Sequence, residues 1–231
     1  MAVAMARMRT GLRAFRRYVP ERLVRQLIQT GQDARVGGEL REVTIMFTDV
    51  EGFARLAEAM EPQELLVHLS EYLAHLTEII HAHEGTVDKY LGDGMMVLWG
   101  APLEQPDQAA RACRAALRCK QRVEELNVAW EAEGRPAFRT RFGIHTGAAI
   151  VGNIGSQSRM DYSAVGDNVN VAARLQEMNK EYGTTILVGQ TTYERCQKEF
   201  EFHLVAEVGI RGRQQAMAVF ELEREKNSGE Q

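Results

Sequence analysis

The stretch Ile45-Met-Phe-Thr-Asp-Val-Glu-Gly-Phe53 joins a run of apolar residues to an aspartate and a glycine. A second stretch, Asp88-Lys-Tyr-Leu-Gly-Asp-Gly-Met-Met-Val-Leu-Trp99, sets Asp93 between two glycines, with apolar residues on either side. Runs rich in β-branched and aromatic residues are typical of strands, and a Gly-Asp-Gly segment between two of them is typical of a tight hairpin. We therefore predict three strands here, over residues 42–48, 86–91 and 95–99.

Outward from these strands, helical and strand patterns alternate along the chain. Helical spacing of apolar residues predicts helices over residues 51–60, 63–83, 106–133, 169–182 and 190–197. Further strands are predicted over residues 139–145, 148–154, 185–188, 201–208 and 217–222. The order βααββαβ, followed by a C-terminal α/β appendage, predicts a ferredoxin-like α+β sandwich in which helices pack on a mainly antiparallel sheet.

Two aspartates are expected to meet at one edge of this sheet. The strands before and after the helices of a split β-α-β unit run in the same direction, so the end of the first strand lies beside the hairpin that follows the second. Asp49 and Asp93 would then be neighbours, and two carboxylates at close range repel each other unless cations neutralise them. Each aspartate alone is more often a helix N-cap or a turn residue. Together, beside glycines that let phosphate approach, they favour a site where hard cations such as Mg²⁺ hold a nucleoside triphosphate.

The composition narrows the class of protein. The 231 residues are 45% hydrophobic and 26% charged, which is enough apolar material for one large core. A net charge of −4 and a pI of about 5.9 argue against a nucleic-acid partner. Three cysteines without CxxC spacing indicate a reduced, cytoplasmic protein with no disulfide or zinc framework.

The chain is predicted to have three parts: a basic lead-in helix and hinge over residues 1–38, one large domain over residues 39–224, and a polar tail over residues 225–231. The first 19 residues contain five arginines and no acidic residue. A solvated helix, or a linker to an upstream regulatory domain, is favoured for them over contact with anionic lipid. The apolar spacing between Tyr18 and Thr30 further predicts a helix that pairs with its mate and transmits a regulatory signal.

Four blocks of the sequence stand out in a fixed order. They are Phe-Thr-Asp-Val-Glu-Gly-Phe (47–53), Asp-Lys-Tyr-Leu-Gly-Asp-Gly (88–94), Gly-Ile-His-Thr-Gly (143–147) and Val-Gly-Asp-Asn-Val-Asn-Val-Ala-Ala-Arg-Leu (165–175). Together they resemble the catalytic domain of class III nucleotidyl cyclases, and the similarity covers about residues 39–222. That family forms cyclic AMP from ATP, or cyclic GMP from GTP, and releases pyrophosphate. Its members act as dimers with sites at the subunit interface, so the resemblance implies a homodimer here.

The resemblance also implies roles for individual residues. Asp49 and Asp93, helped by the backbone carbonyl of Val50, would bind two Mg²⁺ or Mn²⁺ ions. Asn170 and Arg174 share a helix face at i and i+4, and they would stabilise the transition state in the site of the other chain. The triphosphate would be held by the helix-opening Gly52 and Phe53 and by Arg211.

Two of these arginines have other interpretations. Arg174 alone is equally compatible with a surface ion pair to Glu177 or Glu181. Within Arg211-Gly-Arg213, either arginine suits the terminal phosphates, and both are also compatible with a solvated surface.

The choice of base falls to Lys89 and Ser163, which match the family positions that read the purine. An ammonium group only donates, so Lys89 suits the N1 acceptor of adenine. The hydroxyl of Ser163 accepts from the adenine amino group but is also able to donate to O6 of guanine. The sequence therefore predicts an adenylyl cyclase that uses ATP, with a guanylyl cyclase or a non-catalytic nucleotide-binding and dimerisation module as the alternatives.

Overall fold

The computed structural model of the protein describes residues 23, 24, 28, 35–209 and 216–226. Apart from three positions, the predicted lead-in helix lies outside these residues, as do Arg211 and most of the predicted polar tail. Within the described part of the chain, no helix combines the length and the apolar character needed to cross a membrane.

The described elements follow one another in the predicted order, except that two predicted strands are one and a strand that was not predicted follows it. The helices are α1 (Phe53–Ala59), α2 (Pro62–Ala82), α3 (Gln108–Ala132), α4 (Asp167–Tyr182) and α5 (Gln190–Cys196). The strands are β1 (Gly37–Val50), β2 (Thr86–Leu91), β3 (Gly94–Trp99), β4 (Thr140–Ser156), β5 (Arg159–Val165), β6 (Ile186–Gly189), β7 (Phe200–Gly209) and β8 (Ala216–Glu225).

These strands form one sheet in the order β2-β3-β1-β4-β6-β8-β7, with β5 paired to β4. The pairing of β4 with β6 is parallel and the other pairings are antiparallel. The predicted α+β sandwich with a mainly antiparallel sheet is thereby confirmed. Since β2 and β1 flank β3 and are both antiparallel to it, they run in the same direction, as the split β-α-β argument requires.

Helices cover both faces of the sheet. Alternate residues of a strand point to opposite faces, and in β1 Met46 packs with Leu76 and Trp130 of α2 and α3. Its neighbour Ile45 packs in a separate cluster with Ala172 of α4. Packing on both faces of the sheet therefore holds the part of β1 that leads to Asp49.

The predicted break between two neighbouring strands was wrong. The two strands expected over residues 139–145 and 148–154 are a single strand, because β1 pairs continuously with β4 and places Val43 opposite Gly147. Gly147 is not a turn residue: a Cβ there would overlap the side chain of Asn168. The absence of a side chain at Gly147 allows α4 to approach the sheet.

Strand β5 was not predicted at all. The chain turns back after Ser156, and β5 then pairs with β4 so that Ser163 lies opposite Gly152. The alternation of Met160, Tyr162 and Ala164 is the signal that would have revealed it, since these side chains lie more deeply than most of their neighbours.

Candidate active site

The end of β1 and the β2–β3 hairpin are joined by direct hydrogen bonds. The backbone N–H of Val50 donates to Oδ2 of Asp93 at 3.0 Å, and the N–H of Met95 donates to Oγ1 of Thr48 at 3.1 Å. Gly94 lies so close to the carbonyl oxygen of Thr48 that a side chain would overlap it. The hairpin is thus fixed against β1, and Asp93 lies beside Asp49, as the strand directions predicted.

The two carboxyls affect each other strongly. Burial, followed by the neighbouring charge and hydrogen bond of Asp93, raises the pKa of Asp49 to about 6. The positive charge of Arg141 and a hydrogen bond from Gln176 act in the opposite direction. Since two anionic oxygens at this edge are costly without a counter-charge, the pair suits a divalent cation.

The described residues contain no cluster of three or more His, Cys, Asp or Glu side chains able to hold a metal ion. The protein ligands available at this edge are the carboxyl pair and backbone carbonyls. Mg²⁺ is commonly bound through one or two carboxylates, with substrate phosphates and water completing its shell. The donor set therefore fits a metal that is bound together with a phosphorylated substrate.

The loop after β1 leads directly into α1. Gly52 is exposed, adopts a left-handed conformation with φ of 70°, and precedes the helix as its N-cap. Phe53 anchors the loop by packing edge-on against Phe138, with ring centroids 6.2 Å apart. The carboxylate of Glu51 lies 2.6 Å from Nη2 of Arg141.

The two predicted base-reading residues meet in the structure. Lys89 Nζ donates to Ser163 Oγ at 3.3 Å, although the residues are 74 positions apart and lie on different strands. Ser163 is 5% exposed, and its hydroxyl donates in turn to Oδ2 of Asp88. The side chain of Lys89 is 41% exposed, so part of this group is open to a ligand.

Asn170 and Arg174 lie apart from the carboxyl pair of their own chain. Both are exposed on α4, and neither makes a side-chain hydrogen bond or ion pair with another described residue. The alternative ion pairs of Arg174 with Glu177 or Glu181 are therefore absent among these residues. Gln176, which contacts Asp49, lies roughly 200° around the helix from Arg174, so the Asn170/Arg174 face points away from the site of its own chain.

Three residues of this region were not singled out from the sequence. Arg141 lies opposite Asp49 on β4, Gln176 reaches it from α4, and Asp88 contacts Ser163. Asp88 is one of two neighbouring charged residues in β2, which does not distinguish it from a solvated strand residue. Arg141 and Gln176 carried no signal either, because their position depends on how β4 and α4 pack against β1.

Comparison with known proteins gives a family match over most of the chain. The model of the "Adenylate and Guanylate cyclase catalytic domain" family matches residues 37–224. Adenylate cyclase 1 of Rhizobium meliloti (strain 1021) is 41% identical over 219 residues, which make up 95% of this chain and 33% of that protein. The chain thus spans a third of the length of this relative.

Solved structures of both nucleotide specificities resemble this fold. The adenylyl cyclase CyaB from P. aeruginosa has a TM-score of 0.76 at 27% identity, covering 83% of this chain and 98% of that one. The guanylyl cyclase Cya2 has a TM-score of 0.75 at 30% identity, covering 84% of this chain and 97% of the other. The backbone alone therefore does not distinguish ATP from GTP, and the choice has to be argued from side chains.

Proposed function

We propose that this chain, which belongs to the adenylate and guanylate cyclase catalytic domain family, converts ATP into 3′,5′-cyclic AMP and pyrophosphate. The observation that carries the proposal is the juxtaposition of Asp49 and Asp93, held by the hydrogen bond from Val50 to Asp93. The 41% identity to a protein named adenylate cyclase supports the choice of product.

In this proposal, Asp49, Asp93 and the backbone carbonyl of Val50 hold two Mg²⁺ or Mn²⁺ ions. When bound, such ions lower the pKa of the ribose 3′-hydroxyl and neutralise the phosphates of the leaving group. The carboxyl pair supplies the negative charge that retains the cations. Arg141 limits the repulsion between the two carboxylates and, through its ion pair, holds Glu51 beside the loop.

The loop of Gly52 and Phe53 is proposed to receive the triphosphate. The exposed Gly52 leaves its backbone open to a phosphate, and the ring contact of Phe53 with Phe138 fixes the start of α1. Arg211, on the segment between β7 and β8, is proposed to contact the terminal phosphates.

The proposal includes a homodimer with two equivalent sites. Asn170 and Arg174 are exposed and directed away from Asp49 of their own chain, which suits a role in the site of a partner subunit. There an arginine would stabilise the charge that develops on the α-phosphate, and the asparagine would orient the ribose or the arginine. One subunit would then provide the metal ligands of a site, and the other would provide this pair.

Adenine is favoured by the groups at the base-reading positions. The ammonium of Lys89 has three hydrogens, and its bond to Ser163 leaves others to donate to N1 of adenine. Guanine presents N1–H at the corresponding place, so its donor would face the donor of Lys89.

The deciding experiment is a product assay on the purified protein with ATP or GTP, each with Mn²⁺. The expected result is cyclic AMP from ATP, with a higher kcat/KM than for GTP. Faster turnover of GTP would indicate a guanylyl cyclase. Binding of nucleotide without cyclic product would indicate a non-catalytic module.

A further inference from the structure

Asp88 is a buried acid that has no role in the proposed reaction described above. Its side chain is 1% exposed, and it lies on β2 immediately before Lys89. Adjacent residues of a regular strand point to opposite faces. The pairing of β2 with β3 shifts register between Val87 and Lys89, which leaves Asp88 as the extra residue of a bulge. Bulges redirect side chains, and this one lets Asp88 and Lys89 both reach Ser163.

The hydrogen bonds around Ser163 have a defined direction. The hydroxyl has one hydrogen, which it donates to Oδ2 of Asp88. Its oxygen accepts from Lys89 Nζ at 3.3 Å. A serine oxygen accepts up to two hydrogen bonds, so one acceptor position remains and no donor does.

The carboxylate form of Asp88 is what maintains this direction. Burial raises the pKa of Asp88, whereas the hydrogen bond from Ser163 and the charge of Lys89 favour the ionised form. Oδ1 of Asp88 is buried without a hydrogen bond to a described residue, and it lies 3.6 Å from Lys89 Nζ. The carboxylate thereby fixes the Ser163 hydroxyl and lies next to the ammonium of Lys89.

We propose that Asp88 is a positioning residue for nucleotide choice: it holds the Ser163 hydroxyl as an acceptor, so that the site takes an adenine amino group and rejects guanine O6. The inference rests on the proposed function. Without Asp88, the serine hydroxyl would turn and donate to O6 as readily as it accepts from an amino group. With Asp88, the oxygen of guanine meets a lone pair, and a mismatch of this kind in a nearly buried site lowers affinity.

The test compares kcat/KM for ATP and GTP in the parent, Asp88→Asn, Ser163→Ala and the double variant. An asparagine has nearly the same shape but both donates and accepts, so it no longer fixes the hydroxyl. The ATP-to-GTP ratio is expected to fall about tenfold in Asp88→Asn. In the Ser163→Ala background, the same substitution is expected to change the ratio less than about twofold, because there is no hydroxyl to orient.

Asp161→Asn is the matched control, since Asp161 is an exposed acid on β5, two residues from Ser163. It should leave the ratio within about twofold of the parent if the effect depends on the hydrogen bond rather than on charge. An unchanged ratio in Asp88→Asn, or an equal fall with and without the Ser163 hydroxyl, would overturn the inference. If Asp88→Asn does not fold, Asp88→Ala removes the acceptor and carries the same expectations.

A binding measurement separates this inference from the proposed function. The relative affinities of ATP and GTP are read from their displacement of an N-methylanthraniloyl derivative of ATP. If the parent forms no cyclic nucleotide, the proposed function fails. The affinity ratio in Asp88→Asn then still decides the role of Asp88: a fall supports it and an unchanged ratio overturns it.

Discussion

The backbone N–H of Val50 donates a 3.0 Å hydrogen bond to Oδ2 of Asp93, a residue 43 positions further along the chain. This bond ties the end of β1 to the turn between β2 and β3. It orients one carboxyl of the proposed metal pair. The position of that pair is therefore set by the protein before any cation binds.

Asp49→Asn is expected to lower activity strongly and to stabilise the metal-free protein. Loss of a metal ligand should cost several kcal/mol of transition-state stabilisation, which lowers kcat/KM at least about 100-fold. The folded-state pKa of Asp49, about 6, lies above its ordinary value of 3.8. Ionisation of Asp49 therefore costs folding free energy, and stability is lost as the pH rises from about 4 through 6.

This stabilisation should depend on pH. At pH 7 we expect Asp49→Asn to raise the free energy of unfolding by about 1 kcal/mol, a value reduced for solvent screening because the group is only half-buried. At pH 4 the difference should disappear. Urea unfolding in EDTA at both pH values measures it, with the exposed Glu207→Gln as control. A variant less stable than the parent at pH 7 would contradict the prediction.

Addition of Mn²⁺ is expected to raise the Tm of the parent by a few degrees in the absence of nucleotide, since a ligand that binds only the folded state stabilises it. Asp49→Asn should show little of this increase. Thermal unfolding with EDTA and with Mn²⁺ measures the effect without relying on turnover. An equal increase in both proteins would place the bound cation elsewhere.

Subunits with complementary defects are expected to restore activity. Asp93→Asn and Arg174→Ala homodimers should each lose at least about 100-fold in activity. A heterodimer of the two, purified with two different tags, should recover about half of the parent activity, because one of its two sites is intact.

The pair Asn170→Ala and Arg174→Ala provides the control for this experiment. Both changes affect the same side of the interface, so each site of their heterodimer carries one defect. Recovery in this pair as well, or no recovery in the first, would contradict a site shared between subunits.

Gly94→Ala is expected to destabilise the protein more than Gly92→Ala. A Cβ at Gly94 would overlap the carbonyl oxygen of Thr48, whereas Gly92 has a φ of 68° and open space around it. We expect a cost of about 2–3 kcal/mol for the overlap and about 1 kcal/mol for the backbone strain alone. Urea unfolding of both variants compares them, and equal costs would show that Thr48 is free to move.

The sequence predicted the relationship between Asp49 and Asp93 because it depends only on strand direction. Once the helices between β1 and β2 were identified, both strands had to point the same way. The residues that tune this pair were not predictable in the same manner. Gln176 reaches Asp49 only because α4 packs closely on β4. Gly147 permits that close approach, although a glycine at this position suggested a turn between two strands.

The environment of Ser163 depends on a strand whose alternating pattern was overlooked and on a bulge that has no periodic signal. Its strand was missed, and the contact with Asp88 requires a one-residue bulge in β2. A bulge changes the direction of a side chain without changing the apolar pattern, so Asp88 reads from the sequence as a strand residue of no special role. The role proposed for it rests on the partners of its carboxylate.

Strand β2 and the turn after it carry two of the proposed functional groups. Lys89, in the strand, belongs to the group proposed to read the base, and Asp93, in the turn that follows Leu91, belongs to the proposed metal pair. Only four positions separate the two residues, and a chain of that length spans at most roughly 14 Å. A deletion between them would therefore displace both groups relative to each other, even with every contacting side chain still present.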